Sequence, residues 1–546
     1  MPTIDYIVII IFSLLIVMAG LSFRKSGSDM KSYFAAGGAV PWSINGLSLY
    51  MSFFSAGTFV VWGSIAYELG WVAITIQLSM CLAGFVVAFV IAPKWRKTNV
   101  LTAAEFVRKR LGDKVQKFYT YIILILSLAY TGAFLYPVAK IVNVSTGWSI
   151  NICIIVIGLL ILLYTVVGGL WAVIVTDVLQ FVILTAAVLL VVFLALEQIG
   201  GIDGFLTSLP VEDWKATSEE YSWWFIVAFA LYNIVFIGGN WAYVQRYTSV
   251  KNAKDAKKVG LTFGWIYLVS PFIWMLPPMI YKIINPDLSG LESEGAYMLI
   301  CKQVLPIGML GLMLGGMVFA TASSVNTTLN LAASVITNDL FMVFKPKASL
   351  KQIMKVAKLS TILFGIGTIL VALLVPYVGG IVNVVLSIGA VTGCSLYGPP
   401  IWALFSKRQS GKSVLMITVV SLAINIGFKF FATLSRADEM LLGTLSPFAL
   451  LVFYEIVSKF NGIQQSEDFI NYKNQETPNL SATSDVAQNL FGMKVLGNTL
   501  IAVGVLIAFL GVISQNSKTL IISIGMVIVC VAMLIHPKIS IKKTIS

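Results

Sequence analysis

Long apolar segments recur along almost the whole chain and are separated by short polar stretches. Each segment has roughly 18 to 28 residues, which is enough to cross a hydrocarbon core of about 30 Å as a helix. About fifteen such segments can be counted from the hydrophobic pattern. They begin near Ile4, Trp42, Leu69, Phe118, Trp148, Ala172, Trp223, Val259, Leu305, Val356, Ile381, Val414, Met440, Val495 and Leu520. The pattern predicts an all-α bundle in a membrane, because backbone in lipid must satisfy its own hydrogen bonds.

Two of these segments are interrupted near their middle. The second contains small and hydroxyl residues between Ser52 and Thr58, and the seventh contains Gly238, Gly239 and Asn240. The two segments lie five apart, which is typical of inverted-repeat transporters whose binding site lies between two broken helices. Alternatively, small residues only allow neighbouring helices to approach closely. The spacing favours a functional role.

The ninth segment holds seven polar residues between Thr321 and Asn330. Several recur at intervals of three and four and therefore share one helix face. Hydroxyl and carbonyl oxygens on one face can replace water around a hard cation such as sodium, although interhelical hydrogen bonding is the simpler alternative. Asp177, one turn into the sixth segment, needs a partner if it is ionised. A sodium ion would be one.

Composition and charge agree with a membrane protein. Hydrophobic residues make up 58% of the chain and charged residues only 11%, with a formal net charge of +13. Roughly thirty of the 37 Lys and Arg residues fall in alternate loops that we assign to the inside, and about five fall outside. This bias predicts a multi-pass protein of the cell membrane with the N-terminus outside and the C-terminus cytoplasmic. We expect that membrane to be a bacterial inner membrane. The surroundings are then lipid, and the basic charge needs no nucleic-acid partner.

Nothing in the sequence predicts an enzyme. The single histidine is His536, and the five cysteines lack metal-ligand spacing, so we expect no catalytic residues. The polar segment 460–491 has no apolar core and is predicted to be a flexible cytoplasmic linker. No obligate protein partner is evident. Two alternatives to a sodium-driven carrier remain. One is a carrier of the same fold that is driven by protons or by no ion gradient, and the other is a membrane sensor or channel.

Several motifs then carry a more specific resemblance. They are Gly168-Gly169 followed by Ala172-Val173, Thr176-Asp177 and Gln180; Ala320 to Asn330 with Asn338-Asp339; Gln245-Arg246; and Gly398-Pro399-Pro400 with Lys407-Arg408. From about Ile4 to Ile456, the chain resembles the sodium:solute symporter family, which includes bacterial galactose, proline and sialic acid carriers. The resemblance implies a LeuT-type five-plus-five inverted repeat. It also implies sodium-coupled symport of a small polar organic solute into the cell by alternating access.

The resemblance also divides the chain. The expected units are 1–41, a leading helix and first cytoplasmic loop; 42–198, the first inverted repeat; 222–406, the second repeat; 412–459, two additional helices; 460–491, the linker; and 492–546, two C-terminal helices and a basic tail.

Na+ is the coupling ion that the resemblance implies. Its main site would use backbone carbonyls of Met51, Phe54 and Ala320 with the hydroxyls of Ser323 and Ser324. A second sodium site, found in some members, would use Asp177, Ser323, Asn326 and Thr327. Asn326 stands where a hydroxyl is expected, which departs from the pattern of that second site.

The solute pocket departs further from the sugar-carrying members. By resemblance, the solute would contact Ser55, Thr58, Gln77, Asn233, Phe236 and Tyr267. Sugar carriers have Asn, Glu, Lys and Gln where this chain has Phe53, Gln77, Tyr267 and Val391. Each unmatched sugar hydroxyl would cost about 1–3 kcal/mol, which argues against glucose or galactose. A sugar acid, a sugar derivative, an amino acid or another organic acid all remain open.

Overall fold

The computed structural model describes residues 1–22, 40–100, 102–164, 170–336, 341, 345, 347–474, 486–514 and 517–537. All regular secondary structure in these ranges is helical. The motif residues Gly168, Gly169, Asn338 and Asp339 lie outside the described residues.

Twenty-one helices are used below, numbered in chain order. They are α1 (Thr3–Leu21), α2 (Trp42–Phe53), α3 (Thr58–Leu69), α4 (Trp71–Lys97), α5 (Ala103–Leu111), α6 (Asp113–Thr146), α7 (Ile150–Tyr164), α8 (Leu170–Gln198), α9 (Gly201–Ser208), α10 (Trp223–Gly239), α11 (Trp241–Thr248), α12 (Ala253–Ile284), α13 (Ala296–Val304), α14 (Met309–Val335), α15 (Leu350–Leu374), α16 (Gly380–Phe405), α17 (Gly411–Phe431), α18 (Arg436–Phe460), α19 (Glu467–Asn474), α20 (Val486–Ile513) and α21 (Lys518–Ile535).

Many of these helices can cross a membrane. Within the described residues, eleven are long and apolar enough, and up to thirteen spans result if each of two bent helix pairs counts as one. Two further apolar helices, Ile150–Leu162 and Met309–Ala322, are shorter. The chain is therefore a multi-pass membrane protein, while the number of fifteen spans stays a prediction.

The first bent pair is α2 and α3, whose axes differ by 61°. The backbone of Phe54 turns to an extended conformation, with φ −94° and ψ 110°. Between Phe54 and the start of α3, Ser55 Oγ accepts a hydrogen bond from the Gly57 amide over 3.2 Å. Hydroxyl side chains that bond nearby backbone compete with the helix, so this interruption follows from the local sequence.

The second bent pair is α10 and α11, which also differ by 61°. Asn240 is extended, with φ −61° and ψ 128°, and its Oδ1 accepts a hydrogen bond from the Ala242 amide over 3.0 Å. Asn240 therefore acts as the N-cap of α11. Both interruptions predicted from the sequence are confirmed.

The leading helix and the C-terminal hairpin share one packing cluster with α8 and the start of α14. Within it, Asp5 of α1 accepts hydrogen bonds from the amides of Gly308, over 2.7 Å, and Gly311, over 3.0 Å. A carboxylate at this position caps the N-terminus of α14. Helices α20 and α21 therefore pack on the bundle beside its first helix.

Part of the segment predicted to be a linker is helical. Helix α19 forms at Glu467–Asn474, and Ser466 before it donates through Oγ to the Gln409 carbonyl over 2.9 Å. The sequence pattern does not predict this helix, because the contacts that hold it come from other parts of the chain.

Candidate sodium and solute site

The first helix break touches α14 directly. The Ala56 amide, inside the break, donates to Thr321 Oγ1 over 3.1 Å. Thr321 is fully buried and follows Ala320, which is 5% exposed. This contact brings the loop after Met51 and Phe54 to the part of α14 that carries the third predicted carbonyl ligand.

The remaining predicted sodium ligands lie one turn further along α14. The side chains of Ser323, Ser324, Asn326 and Thr327 are outside the described part of the structure. Met51 contributes a carbonyl that already accepts the Phe54 amide over 3.1 Å. An oxygen-rich junction between a helix break and α14 is chemically suited to a hard cation, since carbonyl and hydroxyl oxygens are its preferred ligands.

Asp177 has a protein partner in the structure. Its Oδ2 accepts a hydrogen bond from Ser48 Oγ over 2.6 Å and lies 3.4 Å from Nη2 of Arg246. Arg246 Nε in turn donates to Ser48 Oγ over 3.2 Å. Both charged residues are 5% exposed. The buried pair joins α8, α2 and α11 in one polar network.

Further contacts orient the arginine. Its Nη2 donates to Ser52 Oγ over 3.4 Å, and its backbone carbonyl accepts from Asn45 Nδ2 over 2.6 Å. A buried guanidinium needs hydrogen-bond acceptors of this kind, because burial of an incompletely paired charge costs several kcal/mol. Removal of the partner of a buried charge lowers stability by about 3–5 kcal/mol. The network therefore holds α11, which follows the second break, against α2, which precedes the first.

Arg246 was missed as the partner of Asp177. In the sequence, Gln245-Arg246 stands out only as a motif that closes the seventh segment, and sodium is the partner expected for the carboxylate. A basic residue at the end of an interrupted apolar segment was the available signal. Its distance from Asp177 is decided by the bend, which sequence spacing does not specify.

Aromatic rings fill the region between the two breaks. Phe53, the residue before the first break, lies 4.4 Å from Tyr243 of α11 and 5.9 Å from Phe236 of α10, measured between ring centroids. Phe263 of α12 lies 5.4 Å from Phe53 and 4.7 Å from Tyr267. We call these five residues the aromatic cluster. It gives the region an apolar character with phenolic hydroxyls at its edges.

The predicted solute residues differ in their relation to this cluster. Phe236 and Tyr267 belong to it. Ser55 lies in the first break and Thr58 is the first residue of α3. Thr58 Oγ1 accepts a hydrogen bond from the Ser55 amide over 3.3 Å. Asn233 is one helical turn before Phe236, and its Nδ2 donates to the Phe229 carbonyl over 2.8 Å.

Gln77 differs from the other predicted solute residues. It is 3% exposed on α4, and its Nε2 has no hydrogen-bond partner within the described residues. A buried amide without a partner costs free energy, so it is a good candidate to bind a polar group of a ligand.

Charged groups also lie near the opposite end of α3. Glu294 Oε2 accepts from Tyr136 Oη over 2.8 Å, and its Oε1 accepts from the Ile381 amide over 2.9 Å. Lys140 Nζ donates to the Leu291 carbonyl over 2.7 Å. Burial raises the pKa of Glu294, while the Ile381 amide, Tyr136 and Lys140 oppose that rise. These contacts tie the loop before α13 to α6 and to the start of α16.

Comparison with known proteins identifies the family of this chain. Residues 33–420 match the model of the sodium:solute symporter family. The chain is 26% identical to the sodium/sialic acid symporter SiaT of Proteus mirabilis over 469 residues, covering 81% of this chain and 94% of the relative. It is 25% identical to the sodium/glucose cotransporter 4 of Danio rerio over 416 residues, covering 66% of this chain and 61% of that longer protein.

The fold is also shared with a solved structure. A Na+-coupled sialic acid symporter, in a substrate-bound outward-open state, superposes with a TM-score of 0.69 at 23% identity. The alignment covers 83% of this chain and 98% of that structure. Because the family model spans most of the sequence and the fold agrees, the chain belongs to the sodium:solute symporter family, and it is a membrane transporter, not an enzyme, that moves a small organic solute by sodium-coupled symport.

Proposed function

We propose that this symporter carries its solute into the cell by alternating access, between two inverted repeats at 42–198 and 222–406. The observation that supports this most directly is the pair of breaks, each bent by 61°, in the first helix of each repeat. Broken helices free backbone groups at membrane depth, and this is tolerated where they line a binding cavity. The orientation has the N-terminus outside and the C-terminus in the cytoplasm of a bacterial cell.

The main sodium ion binds at the junction of the first break with α14. We assign it to the carbonyls of Met51, Phe54 and Ala320 and the hydroxyls of Ser323 and Ser324. The hydrogen bond from Ala56 to Thr321 supports this assignment, because it joins the two segments beside these positions.

A second ion at Asp177, Ser323, Asn326 and Thr327 would compete with a protein partner. Asp177 is already paired with Arg246, so a sodium ion there has to share the carboxylate or displace the arginine. The proposed stoichiometry is therefore one sodium ion at the main site, with the second ion conditional on rearrangement of this pair.

The solute binds between the two breaks, against the aromatic cluster. Phe53 lies in contact with Phe236 and Tyr243, so the site offers flat apolar surfaces and few hydrogen-bond partners. Such a surface suits a solute with an apolar or planar face beside its polar groups. We propose a sugar acid, a sugar derivative, an amino acid or another organic acid, in preference to a polyol with hydroxyls on every side. The Proteus relative is named for sialic acid, which belongs to the first of these classes.

Uptake into liposomes that contain only the purified chain tests the proposal. A panel of labelled sugar acids, sugar derivatives, amino acids and hexoses is offered with an inward sodium gradient, a potassium gradient or a proton gradient. We expect accumulation of one class with sodium alone, and no need for another protein. Accumulation driven equally by protons would support the alternative carrier, and hexose as the best solute would contradict the proposed class.

The solute and sodium sites are separable by mutation. Asn233→Ala should weaken solute binding by about tenfold at every sodium concentration, as expected for loss of a buried hydrogen bond, and leave sodium binding without solute nearly unchanged. Binding calorimetry with sodium alone, and then with solute, measures both affinities. Asn151→Ala, an exposed position in α7, is the matched control. Parallel loss of both affinities in well-folded Asn233→Ala would remove Asn233 from the solute site.

A further inference from the structure

Two backbone carbonyls at the end of α10 are bound by side chains. The second break leaves the last carbonyls of this helix without partners in a continuing helix. Tyr247 Oη donates to the Ile237 carbonyl over 3.1 Å, and Trp95 Nε1 donates to the Gly238 carbonyl over 2.7 Å. Tyr247 lies on α11 itself, whereas Trp95 comes from the end of α4. One of the two freed carbonyls is therefore bound by a side chain of the helix that follows the break, and the other by a tryptophan from a different helix.

Trp95 belongs to a line of aromatic contacts. It is 1% exposed, and its ring lies 5.1 Å from Phe106 of α5 in an edge-to-face arrangement. Phe106 in turn lies 5.9 Å from Tyr472 of α19, again edge to face. Trp95, Phe106 and Tyr472 thus form a continuous aromatic line from Gly238 to α19. Each such ring pair contributes modestly, but together they restrict where Trp95 can move.

Helix α19 is anchored by polar contacts as well. Asp468 Oδ2 accepts from the Gly411 amide over 2.7 Å, at the start of α17. The Ser466 amide donates to the Lys407 carbonyl over 2.9 Å. Phe469 lies 5.1 Å from the guanidinium of Arg110, a residue that is 1% exposed and whose Nε and Nη1 lack hydrogen-bond partners within the described structure.

One face of α19 makes these contacts. Asp468, Phe469 and Tyr472 are partly buried, while Glu467 and Ile470 are exposed. The division follows the helical period, since positions separated by three or four residues share a face. The inward face therefore serves docking on α5 and on the loop between α16 and α17.

We propose that Trp95 is a positioning residue for the second broken helix, and that docked α19 supports it through the aromatic line. The bond to Gly238 determines where α11 begins, and hence where Tyr243 meets the aromatic cluster and where Arg246 meets Asp177. When α19 undocks, Trp95 loses the support that reaches it through Tyr472 and Phe106, and the position of α11 becomes less fixed. The proposal rests on the second break taking part in transport, but its main test requires no solute.

Hydrogen–deuterium exchange on the purified full chain in sodium-containing detergent solution tests the proposal. Trp95→Phe keeps an aromatic ring, although a smaller one, and removes the N–H donor. We expect exchange in peptides covering 239–248 to become about two- to tenfold faster, with exchange in Val486–Ile513 unchanged. Tyr472→Ala should make exchange in the same peptides about two- to tenfold faster, which is the factor expected for the loss of one aromatic contact. The matched controls are Trp224→Phe, at a residue that is 69% exposed, and Ile470→Ala, on the outer face of α19. Neither control should change the exchange rate in peptides covering 239–248.

Transport kinetics separate positioning from general destabilisation. Trp95→Phe should change the maximal uptake rate by about threefold or more, while the half-saturating sodium concentration stays within about twofold, because the sodium site belongs to the first break. Unchanged exchange at 239–248 in Trp95→Phe would overturn the role of Trp95. A Tyr472→Ala effect confined to α19 and α5 would overturn the role of α19. Failure of the proposed function is distinct, since it appears as absence of sodium-driven uptake in the unaltered chain.

Discussion

At the scale of single residues, Asp177 illustrates how a buried charge finds its partner. The sequence showed that a carboxylate within an apolar segment needs compensation, and the structure supplies Arg246 and Ser48. A pair of this kind adds little net stability compared with apolar residues, but removal of one member is costly. Its position between α2, α8 and α11 suggests that it acts on conformation more than on stability.

Removal of one member of the pair should therefore lower the stability of the protein more than removal of both. We expect Arg246→Gln to lower stability by about 3 kcal/mol, since it leaves the Asp177 carboxylate buried without its cation. The double variant Asp177→Asn with Arg246→Gln should recover about 1–2 kcal/mol of that loss. Thermal unfolding of the purified protein measures these differences.

The control is Lys215→Ala, an exposed cation paired with Glu212 at the surface, which should change stability by no more than about 0.5 kcal/mol. Additive effects of the two core substitutions would show that the pair is not energetically coupled. If Asp177→Asn alone also raised the sodium concentration needed for half-maximal uptake, the second sodium site would gain support.

At the scale of elements, the carboxylate of Glu294 connects the loop before α13 to helices α6 and α16 by hydrogen bonds. Glu294 lies in the tight turn Gly290–Gly295 and accepts hydrogen bonds from Tyr136 of α6 and from the first turn of α16. Lys140 and Glu68 are the charged groups that act on it, the first lowering and the second raising its pKa. Burial is the largest influence, and the pKa of Glu294 is raised.

A pH dependence of stability follows from this shift. A carboxyl with a raised pKa in the folded state binds more protons there than in the unfolded chain, at pH values between its ordinary pKa of 4.5 and the raised value. Its contribution to stability therefore falls as pH rises through that window. We expect the unfolding temperature of the protein, relative to that of Glu294→Gln, to decrease with increasing pH from about 4.5 upward and then to level off.

Glu292→Gln is the matched control, because Glu292 lies in the same turn but is exposed. Its unfolding temperature should follow that of the unaltered protein at every pH. A constant difference between the protein and Glu294→Gln across the range would contradict the assignment of the shift to this carboxyl.

At the scale of the whole molecule, the distribution of basic loops predicts the orientation. Reporter fusions after Arg110, Lys258, Lys355 and Lys473 should report the cytoplasm, and fusions after Glu212 and Glu292 should report the outside. The reason is that Lys and Arg in short loops are retained on the cytoplasmic side. Both groups reporting the same side would contradict the count of spans and the division into repeats.

Some features could be derived from the sequence because they are local. Apolar length predicts a membrane helix, and the hydroxyl and glycine residues at 52–58 and 238–240 predict where two helices break. These properties depend on the backbone hydrogen bonds of one segment and on its solvent. The structure confirms both breaks, and it adds short helices such as α5, α13 and α19, which are too short to be recognised from a hydrophobic pattern.

Other features were decided only by tertiary structure. The pairing of Asp177 with Arg246 joins residues 69 positions apart, and the bond from Trp95 to Gly238 spans 143. Helix α19 has little apolar surface of its own and is held by Gly411, Arg110 and Phe106. The physical reason is the same in each case. A polar group or short helix whose partner comes from another part of the chain is stabilised only after the bundle has assembled, so sequence could indicate the need for a partner, while the fold determined its identity.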